Sequence, residues 1–172
     1  MYNLHSILIQ LKKEDTPLHG VMVRCVRCFY QWLDPTLWEG SALFELWAQE
    51  LELIYGDLRQ RLSPNAKTDA GSLGDRFGFD TPPELPRLLQ SIQTFYSVLI
   101  KLIAWNTLRG ATPEPPLTEL LSGRAFVNRG IRNFCGDDWY IWPLDIWDPA
   151  LETQCEELRA CLESFDTCPE GS

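Results

Sequence analysis

Two histidines, His5 and His19, are all that 172 residues supply as ready-made general bases. A serine or cysteine nucleophile needs a base beside it, and these two read as a surface residue and a turn residue. There is no Gly-Lys-Ser/Thr phosphate loop. Gly71 and Gly74 follow no strand, so they lack the strand-to-helix setting in which spaced glycines cradle a nucleotide. Alternation with a period of two is missing at any useful length, which excludes a sheet. The longest apolar run, 95–105, is broken by Ser97 and Lys101 and is shorter than the roughly 18–20 residues of a membrane span. The stretch 4–11 is interrupted by polar residues, and Lys12 and Lys13 lie after it rather than before it, unlike a signal peptide. These absences lead us to expect a cytoplasmic chain with no catalytic residues, no cofactor site and no membrane partner.

What is present is a globular composition: 45% hydrophobic, 23% charged, with seven Trp and eight Phe that need a core or a partner to cover them. The net charge of -9 argues against strong phosphate binding by the chain as a whole. That charge is uneven. Residues 148–172 hold seven acids and only one base, Arg159, whereas 17–33 carries Arg24 and Arg27 without an acid. Arg124, Arg129 and Arg132 form a second cluster of cations in a segment that lacks acids from 124 to 136. Six cysteines in a cytosolic chain are expected to be reduced thiols in apolar packing. Cys25 and Cys28 make a lone CxxC pair and are weak metal candidates, because a structural zinc site wants a second pair or two spaced histidines.

The hydrophobic period is that of helices throughout. A short helix over 3–13 is followed by one over 17–33, opened by Thr16 as cap and Pro17 as first helical residue. A third spans 37–62, with Gly56 as a kink or break. Residues 63–84, with three glycines and three prolines, read as a long loop or an ordered excursion. The strongest pattern is 85–109, apolar nearly all round in its second half, which marks a central helix covered on several sides. Gly110 and Pro113, Pro115 and Pro116 stop it. A helical turn at 117–122 and short aromatic elements up to 147 lead to an acidic C-terminal helix at 149–166, opened by Asp148 and Pro149. The expectation is an all-α protein: one irregular helical bundle of five to six helices, spanning 1–172, around the central apolar helix.

Several residues carry two readings. Lys101, the one ionisable residue in 95–105, either snorkels to solvent or a carboxylate or reaches a partner domain or DNA. Trp139, Tyr140, Trp142 and Trp147 either close the core or form an exposed anchor for another protein. Arg124, Arg129 and Arg132 either touch a phosphate backbone or make surface ion pairs with the acidic last helix. The adjacent acids Asp137–Asp138 and Glu156–Glu157 point about 100° apart on a helix, so they read as capping and solvated groups.

Two blocks resemble a known family. LQSIQTFYSVLIKLIA (89–104) is similar to the central helix of the region upstream of the catalytic domain in adenine-N6 DNA methyltransferases of restriction–modification and phage-defence systems, where an aromatic pair precedes a Leu-Ile-Lys-Leu-like core. LSGRAF (121–126), GIRNF (130–134) and the segment 138–147 resemble that family's connection into a further helix, in the same order and spacing. The resemblance covers roughly 43–165. Pro143 departs from it, standing where the family usually has an aromatic. Such enzymes bind S-adenosylmethionine through a Phe-x-Gly loop and flip adenine into a pocket built on Asn/Asp-Pro-Pro-Tyr/Phe. Here TPPE (81–84) and EPPL (114–117) keep the prolines and lack the flanking residues. The resemblance therefore implies a non-catalytic accessory or connector region, with S-adenosylmethionine and catalysis belonging only to the parent enzyme. Its partners would be a methyltransferase catalytic domain and, through it, DNA. The alternative is a free-standing interaction module with a Trp-rich surface.

Overall fold

The computed structural model describes residues 4–34, 44–50, 53, 66–108, 110–135 and 138–165, with backbone alone at 4, 66–70 and 138–139. Among them every regular element is helical: α1 (Leu4–Lys12), α2 (Pro17–Trp32), α3 (Ala66–Arg76), α4 (Leu85–Leu108), α5 (Leu117–Leu121), α6 (Arg124–Val127), α7 (Asp138–Ile141), a 3-10 turn (Trp142–Leu144) and α8 (Pro149–Glu163). A further helical stretch lies at 44–50. The all-α bundle is as expected. Its elements are more numerous because the aromatic stretch before α8 breaks into single turns.

The helix starts follow from their capping residues. The Thr16 hydroxyl accepts the His19 amide at 3.2 Å and donates to the Gln10 carbonyl at 2.6 Å, so one side chain ends α1 and begins α2. Asp148 accepts the Leu151 amide at 2.8 Å, and Pro149 takes the first position of α8, where a missing N–H is no loss.

α2 packs most extensively against α8 and next against α4. Its stripe Leu18, Val21, Met22, Cys25, Val26 and Phe29 is buried, and it meets Leu151, Cys155, Leu158 and Leu162 of α8. One apolar cluster runs from Ile7 of α1 to Leu162 of α8. α4 has the length and apolar content that a membrane span would need, although its uninterrupted run is shorter. More than half of its most apolar stretch is buried inside the bundle, which is the situation of a core helix.

The stretch 63–84 is not a loop throughout, because α3 occupies Ala66–Arg76. Glycines weaken a helix by only about 1 kcal/mol each. At Gly74 a Cβ would lie 2.5 Å from Pro83 Cδ, so this glycine serves close packing between α3 and the start of α4. The proposed helix over 37–62 lies largely outside the described residues. Within it Trp47 is buried and stacks on Phe44 at 6.1 Å. The two Pro-Pro pairs have structural tasks: Pro83 packs on Gly74, and Pro116 is the cap residue of α5.

Candidate interaction surface

The face of α4 turned away from α2 carries the least covered apolar side chains of its apolar half. Tyr96 is 43% exposed and Ile100 53%. Four residues apart on a helix, they lie on one stripe. Gln93, Ser97 and Lys101 flank them, and Asn133, Phe134 and Tyr140 form the opposite wall of a groove of about 360 Å³. The Tyr140 hydroxyl donates to Gln93 Oε1 at 2.8 Å and ties the two walls together.

Backbone geometry sets the far wall. Gly123 adopts φ +80°, and a Cβ there would lie 2.2 Å from the Phe134 carbonyl oxygen. Only glycine fits both that conformation and that approach. The contact pins Phe134, whose ring centroid lies 4.5 Å from that of Phe126, itself fully buried and edge-on to Trp105 at 5.9 Å. The Ile131 amide donates back to the Phe126 carbonyl, and Gly130 at φ +76° turns the chain between them.

Lys101 is buried, so its ammonium does not reach solvent. It is 3% exposed, and its ammonium donates to the Leu121 carbonyl at 2.7 Å. The cation therefore binds the C-terminal end of α5, where helix carbonyls lack intrahelical donors. It contributes its flank to the groove and is withdrawn from any phosphate. Arg129 is exposed and holds to the backbone near the end of α4. Its guanidinium donates to the Leu108 carbonyl and the Thr112 hydroxyl and lies 5.5 Å from the Trp105 ring centroid. It clamps the end of α4 to the turn after α6. Arg124 and Arg132 remain exposed. Among the described residues the ion pairs of α8 include Arg24–Glu157 at 2.8 Å, Arg159–Glu114 at 3.7 Å and Arg159–Glu156.

The Trp-rich segment is drawn largely into the core. Trp142 is 1% exposed, donates through Nε1 to the Thr94 hydroxyl at 2.9 Å and meets Phe29 edge-on at 5.8 Å. It is thus not an exposed anchor. Pro143 is buried in the first turn of the 3-10 segment, which tolerates proline. Trp147 is half-buried against the core, and Tyr140 belongs to the groove. The side chains of Asp138 and Trp139, and Asp137 altogether, lie outside the described residues.

Cys25, Cys28 and Cys155 meet at the α2–α8 contact. Burial first, and then the neighbouring thiols of Cys155 and Cys28, push Cys25 well above its ordinary value, against a smaller opposing pull from the Arg24 guanidinium. Burial and Asp148 push Cys28 up to about 11, and burial pushes Cys155 up to about 12. Cys25 donates weakly to the Gln154 carbonyl at 3.4 Å. A metal ligand or nucleophile needs the thiolate, and these surroundings favour the thiol. Among the described residues no group of three or more His, Cys, Asp or Glu is arranged to hold a metal. His5 is exposed on α1 and His19 is buried in the first turn of α2.

The groove residues Tyr96, Ile100, Asn133 and Phe134 were not singled out from sequence. The signal was present in the all-round apolar character of 95–105, which requires cover on every side. No protein-family profile matches this chain, and no curated protein or solved structure matches it either.

Proposed function

We propose that this chain is a non-catalytic helical connector of the kind found upstream of the catalytic domain in adenine-N6 DNA methyltransferases of restriction–modification and phage-defence systems. In this reading it works in the cytoplasm and docks a catalytic domain or chain through the α4 groove. One observation carries the reading. The two sequence blocks that resemble the family supply the two walls of the same groove: Gln93, Tyr96, Ser97, Ile100 and Lys101 from 89–104, and Asn133, Phe134 and Tyr140 from 130–147. Exposed apolar side chains beside half-buried aromatics are the usual material of a protein-binding surface. S-adenosylmethionine and the adenine pocket belong to the partner, and Arg124 and Arg132 are the cations left to approach a DNA backbone.

A free-standing interaction module is the second reading. With Trp142 in the core, this same groove, and not Trp142, would be its anchor. Co-purification with a methyltransferase catalytic chain separates the two. We expect a complex with the wild-type chain and its loss in Ile100→Glu, with thermal stability of the free variant unchanged. Failure of the wild type to bind such a chain would overturn the connector reading, as would methyl transfer from S-adenosylmethionine by the purified chain alone. An Ile100→Glu variant that binds normally would remove the groove from it.

A further inference from the structure

We draw no further inference here: the strongest candidate, the apolar groove that Tyr96, Ile100, Phe134 and Tyr140 line on the outer face of α4, belongs to the surface already taken up by the proposed function, and nothing in the structure shows what else covers it.

Discussion

The two sides of α4 are made of similar residues and are treated differently. Toward α2 the helix buries Leu88, Phe95, Val98, Leu99 and Leu102, with Ser91 and Thr94 buried among them. Away from α2 it meets short elements between 117 and 147, which close over Lys101 and Trp105 but leave Tyr96 and Ile100 uncovered. Composition does not distinguish the sides, since Ile100 is as apolar as Leu99. Partner length does. α2 is a continuous helix of 16 residues, long enough to track along α4, and is itself backed along its length by the 15 residues of α8. α5, α6 and α7 are helices of five, four and four residues, held by glycine turns and side-chain clamps, and they cover α4 in patches. A long helix buries its neighbour continuously; a series of single turns leaves a groove.

The sharpest break of this comparison is truncation on each side. Phe95→Ala removes a fully buried ring and should destabilise the protein by about 3–5 kcal/mol in urea unfolding. Ile100→Ser, five residues on and facing out, should change stability by less than about 0.5 kcal/mol. Comparable losses at both positions would mean that the outer face is covered after all.

The glycine turns provide a second contrast, internal to the open side. Gly123 and Gly130 share a left-handed backbone, φ +80° and +76°. An added Cβ meets the Phe134 carbonyl at Gly123 and nothing within 4 Å at Gly130. Gly123→Ala combines backbone strain with overpacking and should cost about 2–4 kcal/mol. Gly130→Ala carries the strain alone, about 1–2 kcal/mol. Equal losses would show that the close approach of Phe134 does not anchor the far wall.

The continuous side has its own test in the thiols. Cys155 is fully buried and its pKa is raised from 9.0 to about 12. Below pH 9 the thiol is protonated whether folded or not and contributes no pH dependence. Above it the unfolded chain loses a proton that the folded chain keeps, so stability falls as pH rises through the window from 9.0 to about 12. The loss is about 1.4 kcal/mol per pH unit. Between pH 8 and pH 10 the wild type should therefore lose about 1 kcal/mol more than Cys155→Ala, measured by urea midpoints. Parallel losses would place Cys155 in contact with water.

Much of this asymmetry was legible in the sequence, and the rest had identifiable reasons for being hidden. The caps Thr16-Pro17 and Asp148-Pro149, and the three-four spacing of α2, α4 and α8, act through local geometry that any chain of this pattern would share. The loop reading of 63–84 failed because Gly71, Gly74 and the flanking prolines were weighed as helix breakers, whereas Gly74 is required where α3 lies against Pro83. The carbonyl contacts of Lys101 and Arg129 are hidden for a related reason. A cation in an apolar or acid-free stretch signals an unusual partner, but the partner here is a backbone carbonyl at the end of a helix, Leu121 or Leu108, and carbonyls carry no residue-specific signature. Trp142 and Thr94 are separated by 48 positions, so their hydrogen bond depends on the packing of α4 against the 3-10 turn. The groove is the least legible feature of all, since it arises from what the short helices fail to cover.

The smallest expected effect separates the two kinds of arginine on the open side. Arg129 spends its donors on Leu108 and Thr112 and its flat face on Trp105. Removing it strands those acceptors at a partly exposed site, where water replaces much of what is lost, so Arg129→Ala should destabilise the protein by about 1 kcal/mol. Arg132 is exposed, and Arg132→Ala should leave stability within about 0.5 kcal/mol. If the chain docks a catalytic chain as proposed, the order should reverse for DNA binding by that complex. There Arg132→Ala should weaken affinity uniformly across sequences and reduce the salt dependence by about one counterion, while Arg129→Ala should leave the salt slope unchanged. If both variants shift stability alike and neither alters the slope, the acid-free segment has no role at a phosphate backbone, and docking through the groove is left as the whole contribution of the open side.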